Sequence, residues 1–389
     1  MSDKGWRFNG NERTYLDDVL NSGFGASESG SMNERLENKF AELHNKKFAI
    51  SANSGTSTLH MALKSFGVGT NDEVIIPALT VAMPGFAVWQ CQAIPVFADV
   101  LKDTFLLDPK DVEKKITSKT KAIMPVHMYG NMCDMELIMK LANEHDLFVL
   151  EDCAESLYAS NDKGQKAGTI GHVGSWSFEN SKHLSTGDGG IVATDDEQLA
   201  TFMRQFGGVG FKNITAKTGK VRISRDQFQD PKYERHNMFA YNYRLPELCA
   251  AVGLAQCERL DYFVDMRESM GHAYFEVMKD SNLFLPQKTQ EGFRNTYWAF
   301  AARFLGKDYG VSWYDFRKKY MENNGDGIYS AHQTTNNEPC FKNSKLGYGD
   351  VPIAESLQKD LMLFTTNQKD ENERNIQVTA LEKTIQFFK

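Results

Sequence analysis

The sequence lacks the features that mark membrane, secreted and nucleic-acid-binding proteins. No uninterrupted apolar run is long enough to cross a bilayer. Residues 1–30 are polar and contain no apolar core of the kind found in a signal peptide. The formal net charge is -7, with 44 Lys and Arg against 51 Asp and Glu, which argues against nucleic acid as a partner. We therefore expect a cytoplasmic protein that binds neither membranes nor nucleic acid.

The cysteines also lack a pattern. The six of them, at positions 91, 133, 153, 249, 257 and 340, form no CxxC pair and no Cys/His spacing typical of a metal site. No internal repeat or low-complexity tract is present either. The sequence therefore predicts reduced thiols, no metal site and an ordinary globular enzyme.

Short apolar segments alternate with segments of helical period through the first two thirds of the 389 residues, of which 41% are hydrophobic. This pattern predicts an α/β fold with a mostly parallel central sheet flanked by helices. Ligands of such sheets gather at the carboxyl ends of the strands. The candidate strands are residues 48–50, 74–77, 95–97, 122–126, 148–150, 173–178 and 191–193, and candidate helices include 33–43, 59–66 and 135–145.

Three regions depart from this pattern. Residues 21–31 are rich in glycine and serine and predict a surface loop, which is also a candidate wall for a substrate. Residues 211–237 are polar with an excess of Lys and Arg, so they could receive a diphosphate, but we favour a solvated loop or interface arm. From residue 257 a long helix, a strand-like segment at 297–304 and further helices predict a smaller C-terminal α/β lobe. We expect a large domain of residues 1–256 and a small domain of residues 257–389.

Lys182 lies in the run WSFENSKHLSTGDGG, on a short loop between two apolar strand-like segments. Burial between strands would favour the neutral, nucleophilic form of the amine. Such a lysine can form a Schiff base with a carbonyl compound, for example pyridoxal phosphate (PLP). The alternative is an ordinary solvated lysine, and the other motifs of the chain decide between the two.

Two further motifs follow predicted strands. Ser54-Gly55-Thr56-Ser57 opens a helix, where free backbone N–H groups bind phosphate, although a simple serine N-cap explains the same residues. Asp152, in EDCAES, ends the strand at 148–150, while Glu151 points to the other side of the sheet. A carboxylate at this position could pair with the nitrogen of a pyridine ring, or it could cap a helix.

Three other positions have weaker signals. His127 could contact a ligand or be a core histidine with a satisfied hydrogen bond. Asp134 is expected to start the following helix, and the segment YNYR, which contains Asn242 and Arg244, precedes another helix.

The order SGT, EDCA, SF-x3-K-x-LSTGDGG and YNYR resembles the DegT/StrS family of PLP-dependent sugar aminotransferases, which have fold type I. The similarity extends along most of the chain and includes GTNDEVIIPALT, PVFADV, AIMPVHMYGNMCDM and AAVGLAQ. Each motif is common by itself, but their joint order and spacing are characteristic of the family.

The resemblance implies a role for each matching residue. Lys182 would hold PLP covalently, and Asp152 would pair with its pyridine nitrogen. Asn242 would reach the phosphate from the neighbouring subunit of a homodimer with shared active sites, with Arg244 as a structural partner in that interface. The other cofactor-binding positions would be Gly55, Thr56, Ser57 and Ser177 around the phosphate, Glu155 where members often carry glutamine or histidine near the phenolic oxygen, and Val81 where many members stack an aromatic ring.

The same resemblance implies transfer of an amino group from an amino acid, glutamate in the usual family reaction, onto a keto-sugar. The sugar is expected to be nucleotide-linked, in amino-sugar and polysaccharide biosynthesis. Some relatives carry histidine in place of the lysine and dehydrate sugars, and His183 is adjacent. The spacing from Phe178 and to LSTGDGG places Lys182 at the reactive position, which favours transamination. A sugar dehydratase, a cyclitol aminotransferase and a catalytically idle scaffold of the same fold remain as alternatives.

Overall fold

The computed structural model describes residues 5–24, 31–219 and 223–389. Its larger sheet has seven strands in the order β1-β7-β6-β5-β4-β2-β3. All its neighbouring pairs are parallel except those of β7, which runs opposite to the rest. The strands are β1 (Phe48–Ala52), β2 (Glu73–Pro77), β3 (Ile94–Ala98), β4 (Thr120–Ile123), β5 (Phe148–Asp152), β6 (Val173–Ser177) and β7 (Gly190–Thr194).

Helices cover both faces of this sheet, as its fully buried strands β2 and β7 require. Several of them begin at a Ser or Asp whose side chain accepts a hydrogen bond from the first turn, which satisfies an otherwise free N–H group. The helices are α1 (Glu12–Asn21), α2 (Met32–Leu43), α3 (Gly55–Ser65), α4 (Met83–Gln90), α5 (Pro109–Lys115), α6 (Met135–Glu144), α7 (Glu197–Gly207), α8 (Arg225–Gln229) and α9 (Glu247–Cys257).

The rest of the chain builds a four-stranded antiparallel sheet in the order β10-β11-β9-β8. Its aromatic core includes Tyr274, Phe284, Phe316 and Phe364. The elements are α10 (Leu260–Met278), β8 (Phe284–Pro286), β9 (Ala299–Phe304), α11 (Trp313–Glu322), β10 (Ile328–Ser330), α12 (Pro339–Ser344), α13 (Pro352–Asp360), β11 (Leu361–Thr365) and α14 (Glu371–Phe387).

The predicted fold class is confirmed, and each of the seven predicted strands overlaps a strand of the larger sheet. Three short elements of the smaller sheet were not predicted. Strands β8 and β10 have three residues each and no alternation of polar and apolar positions. The five-residue apolar strand β11 begins directly after Asp360, the last residue of α13, so no loop separates the two elements in the sequence.

The expected loop at 211–237 is mostly exposed, but it contains α8, and Ile214 and Ala216 are buried. Residues 220–222 of this loop, and 25–30 of the expected loop at 21–31, lie outside the described residues. Among the described residues, no helix combines the length and apolar character needed to cross a membrane.

The C-terminal segment also packs onto the larger sheet. The Thr335 N–H group donates to the Ala78 carbonyl at 2.8 Å, just beyond β2. The Asp99 carboxylate, just beyond β3, accepts from the Ile353 and Ala354 N–H groups at the start of α13. Because these contacts connect the predicted domains closely, the division at residues 256 and 257 stays a prediction.

Candidate active site

The carboxyl ends of β5 and β6 bring the predicted site residues to one edge of the larger sheet. Asp152 ends β5, Ser177 ends β6, and the two strands pair in parallel with Asp152 opposite Ser175. The loop that follows β6 carries Lys182 before the chain returns through β7. The topology therefore concentrates polar groups where ligands of α/β sheets bind.

The side-chain amine of Lys182 donates to the Glu155 carboxylate across 3.1 Å. Both side chains are largely buried, at 13% and 4% exposure. The other oxygen of Glu155 accepts from the Tyr129 N–H group at 3.1 Å. The amine also lies 4.3 Å from the centre of the Trp298 ring. Lys182 is thus held in a defined place and is not a solvated surface lysine.

Asp152 is 3% exposed and lies in the same charge cluster. Burial raises the pKa of this carboxyl group to about 6, because the Ala154 N–H bond and the Lys182 amine offset only part of the lost hydration, and Glu155 opposes them. A cationic ring nitrogen against Asp152 would supply the missing counter-charge. The alternative of a helix N-cap at this position is excluded, since turns and not a helix follow β5.

The start of α3 lies against the ends of β6 and β7. A Cβ atom added to Gly55 would be 2.8 Å from the Ser177 Cβ, and one added to Gly190 would be 2.8 Å from the Gly55 nitrogen. Glycine at both positions therefore lets the backbone approach closely. The first N–H groups of a helix have no partner within the helix and favour an anion, so this junction can hold a phosphate group.

The hydroxyls near this junction are used in different ways. Ser54 caps α3 by accepting from the Ser57 N–H group at 3.1 Å, so the serine N-cap that the sequence also allowed is present. The Ser57 hydroxyl contacts the Ser54 hydroxyl at 2.9 Å and donates to the Asn53 side chain at 2.7 Å. Thr56 is half-buried in the first turn, and the Ser177 hydroxyl accepts from the Glu179 N–H group at 3.3 Å. Ser57 is therefore engaged within the cap.

The two remaining predicted residues are Val81 and Asn242. Val81 is half-buried in the turn between β2 and α4. Asn242 is exposed, and its side chain accepts from Arg244 at 3.0 Å. It borders a cavity of about 1090 Å³ between α2, β1 and α7, and Lys182 is not among the lining residues. Among the described residues, Asn242 forms no hydrogen bond with the Lys182 amine.

His127 and Asp134 have structural roles. The Cys133 N–H group donates to His127 Nδ1 at 3.1 Å, so Nε2 carries the proton and donates to Glu151 at 3.0 Å. Asp134 caps α6 by accepting from the Leu137 N–H group. The expectations of a core histidine and a helix start are thereby confirmed. Burial alone would raise the pKa of Glu151, but bonds from His127 and from backbone N–H groups hold it below its usual value.

Sequence reasoning missed three residues that bind the Lys182 loop: Arg7, Arg267 and Trp298. They contact backbone carbonyl groups from distant parts of the chain. Contacts to backbone groups leave no residue pattern, so no sequence signal could have identified them.

A mostly parallel sheet with a buried lysine, a buried carboxylate and a phosphate-compatible helix start at its carboxyl edge defines a PLP-dependent transferase of fold type I. The chain belongs to the DegT/DnrJ/EryC1/StrS aminotransferase family, whose model matches residues 8–380. The prediction of a PLP-dependent sugar aminotransferase is thereby confirmed.

Individual relatives agree with this assignment. The chain is 37% identical over 289 residues to a GDP-perosamine synthase of Escherichia coli O157:H7, which covers 74% of each protein. It is 34% identical over 315 residues to a GDP-perosamine synthase of Vibrio cholerae, covering 81% of this chain and 80% of the relative. Among solved structures, an aminotransferase from Psychrobacter cryohalolentis matches with a TM-score of 0.87 and 26% identity over 97% of each chain.

Proposed function

We propose that this enzyme makes a GDP-linked amino sugar by moving an amino group from an amino acid onto a GDP-linked keto-sugar. The observation that carries the proposal is the buried contact between the Lys182 amine and Glu155, with Asp152 in the same charge cluster. Relatives named GDP-perosamine synthase support the nucleotide and the sugar class. The substrate would be the sugar that bears a carbonyl group where perosamine bears its amine.

The residues fit PLP in three places. Lys182 would bind the cofactor covalently, and Asp152 would pair with its ring nitrogen. The backbone N–H groups at Gly55 and Thr56, together with the Ser177 hydroxyl, would hold the phosphate. Bound PLP would supply an electron sink for charge that develops at the carbon of the amino donor.

Each of these side chains has a task during transfer. The Lys182 amine would take a proton from the α-carbon of the donor and return one later, as general base and then general acid. The Glu155 carboxylate accepts a hydrogen bond from this amine at 3.1 Å and so orients it. Ionised Asp152 would keep the ring nitrogen protonated, and burial strengthens that pairing.

The orientation of two adjacent side chains favours transfer over dehydration. Lys182 faces Glu155, whereas His183 points away and bonds to the Thr296 carbonyl at 2.9 Å. His183 is 2% exposed, and burial, followed by the charge of Arg267, holds its pKa well below the usual value. His183 is therefore neutral and turned toward Thr296, so it does not stand in for Lys182 beside Glu155.

The donor, the assembly and the location complete the proposal. Glutamate is proposed as donor from the usual family reaction, and a cytoplasmic homodimer as the working form. Exposed Asn242 follows Phe239, whose side chain is fully exposed, and Tyr241, which is 49% exposed. Apolar surface beside a polar residue of this kind fits an interface through which Asn242 reaches the partner's site.

The test is a panel of GDP-, UDP- and dTDP-linked keto-sugars incubated with the PLP-loaded protein and glutamate. We expect mass spectrometry to find the GDP-linked amino sugar, with the carbonyl oxygen replaced by an amine and with an equal amount of 2-oxoglutarate. A deoxygenated sugar without added nitrogen would identify a dehydratase and would overturn the proposal, as would conversion of the UDP or dTDP compounds alone.

A further inference from the structure

Two arginine side chains are buried beside the loop that carries Lys182. Arg7 lies in the short helix Gly5–Phe8 and Arg267 lies in α10, and they are 5% and 3% exposed. Burial, followed by the nearby charge of Arg7, lowers the pKa of Arg267 to about 9. Burying a guanidinium group is unfavourable unless its donors are bonded. The hydrogen-bond partners of the two guanidinium groups therefore indicate the role of Arg7 and Arg267.

Most of those partners are backbone carbonyl groups of the lysine loop; Arg267 also donates to the Thr366 hydroxyl at 3.1 Å. Arg7 donates to the Asn180 carbonyl at 2.7 Å and to the Lys182 carbonyl at 2.8 Å. Arg267 donates to the Ser181 carbonyl at 2.8 Å and to the Lys182 carbonyl at 3.4 Å. The two guanidinium groups thus bind three successive carbonyl groups, those of residues 180–182. Within the described part of the chain, neither arginine side chain donates to a carboxylate.

Trp298 adds a third donor. Its indole N–H group donates to the Ser181 carbonyl at 3.0 Å, and its ring centre lies 4.3 Å from the Lys182 amine. Arg267 in turn donates to the Trp298 carbonyl at 2.8 Å. The three residues therefore hold the backbone of the lysine loop, and Trp298 also limits the space around the lysine amine.

The contacts also connect the loop to distant parts of the chain. The Arg7 carbonyl accepts from Gln256 at 2.6 Å and from Arg259 at 3.3 Å, which fixes the short helix Gly5–Phe8 against α9. Arg267 belongs to α10, and Trp298 precedes β9. The backbone position of Lys182 consequently depends on one segment near the start of the chain and on two segments in its last third.

We propose that Arg7, Arg267 and Trp298 form a carbonyl clamp, a set of positioning residues that fixes the backbone of residues 180–182. The clamp holds the Lys182 amine in line with the reacting carbon during proton transfer. This role rests on the proposed function, in which Lys182 moves a proton. A displacement of about 1 Å at a reacting group can lower a rate about a hundredfold, so a rigid loop has a direct effect on turnover.

The variants Arg7→Lys, Arg267→Lys and Trp298→Phe test the clamp. Lysine keeps the charge but loses the planar fork that reaches two carbonyl groups, and phenylalanine keeps an aromatic face without the N–H donor. The matched control is Arg317→Lys, since Arg317 is a half-buried arginine that donates to the Ile328 carbonyl in the smaller sheet. We expect kcat to fall about tenfold to a hundredfold in the clamp variants, with KM for the keto-sugar changed less than about threefold.

A second readout needs no cofactor. Hydrogen exchange of the unloaded protein should be faster at the amides of residues 180–183 in each clamp variant and unchanged there in Arg317→Lys. If all three clamp variants match Arg317→Lys in kcat and in exchange, or if only KM changes, the clamp is refuted. Should Arg267→Lys fail to fold, Trp298→Phe decides the matter in the same way.

The two proposals fail differently. Borohydride reduction of the PLP-loaded wild-type protein should attach the cofactor to Lys182, and an absent adduct would overturn the proposed function itself. An adduct on Lys182, together with clamp variants that behave as the control does, would overturn the clamp alone.

Discussion

Asp152 is a buried carboxylate, and the neighbouring positive charge of Lys182 compensates only part of its lost hydration. Its pKa is raised from 3.8 to about 6, and burial is the main cause. A folded pKa above the unfolded one means that ionised Asp152 lowers the free energy of unfolding. This cost is fully present above about pH 6 and disappears as the pH falls below about 4.

We therefore expect Asp152→Asn to stabilise the unloaded protein at pH 8 by an amount on the order of 2–3 kcal/mol. The gain should vanish below about pH 4, because the Asp152 carboxyl group of the wild-type protein is then neutral in both the folded and the unfolded state. PLP affinity should fall at the same time. Urea unfolding at several pH values measures the effect, and a loss of stability at pH 8 would contradict the account. Asp134→Asn is the matched control, since asparagine caps a helix as well as aspartate does.

Glu155 binds the Tyr129 N–H group as well as the Lys182 amine. Tyr129 has a φ of 66°, a conformation that favours glycine, so this hydrogen bond helps to hold a strained backbone. Glu155→Gln keeps an acceptor for the N–H group, and we expect its stability to stay within about 1 kcal/mol of wild type. Glu155→Leu leaves that buried N–H group without its bond and should lose about 1–3 kcal/mol. Equal unfolding midpoints for the two variants would contradict this role.

The sequence was informative about these residues to different degrees. Motif order predicted that Lys182, Asp152 and Glu155 would meet, and the structure brings them together. Their catalytic roles stay predictions. The arginine partners of the lysine loop were not predictable, because they bind backbone groups that are distant in sequence. A local pattern of residue types does not contain that information.

The junction of β7 with the start of α3 depends on the absence of a side chain. A Cβ atom at Gly190 would be 2.8 Å from the Gly55 nitrogen and from the Ser54 carbonyl carbon, so Gly190→Ala must displace the first turn of α3. We expect PLP affinity to fall at least about tenfold, because the helix N–H groups would no longer point at the phosphate. Equilibrium titration of the unloaded protein with PLP checks this.

Gly69→Ala provides the control for that titration. A Cβ atom at Gly69 would have its nearest neighbour 4.0 Å away, so the same substitution causes no displacement there. If Gly190→Ala and Gly69→Ala bind PLP equally well, the phosphate does not lie at the start of α3.

The elements themselves were predictable where hydrophobic periodicity was strong. The larger sheet followed from apolar segments alternating with helices, because both faces of its strands are covered. The antiparallel direction of β7 follows from the glycine-rich turn at residues 187–190, which reverses the chain between β6 and β7. Strand direction is set by the connection between strands, and that connection here is a loop and not a helix.

At the scale of the whole molecule, we propose a homodimer in which Asn242 of each chain contributes to the active site of the other. If Asn242 acts in the partner's site, a dimer of one Lys182→Ala chain and one Asn242→Ala chain has one site with both defects and one intact site. Mixed, unfolded and refolded in equal amounts, the two inactive variants should regain about a quarter of wild-type turnover. No recovery, with mixed dimers demonstrated by native mass spectrometry, would mean that Asn242 acts within its own chain.

The most direct test of the whole account is borohydride reduction of the PLP-loaded protein followed by peptide mapping. The buried Lys182 amine, held at 3.1 Å from Glu155, should carry the reduced cofactor in nearly every molecule. Lys182→Ala should show no adduct and no absorbance of the lysine–PLP Schiff base while keeping its fold. An adduct on another side chain, or an unlabelled wild-type protein, would contradict the assignment of this enzyme's reactive group.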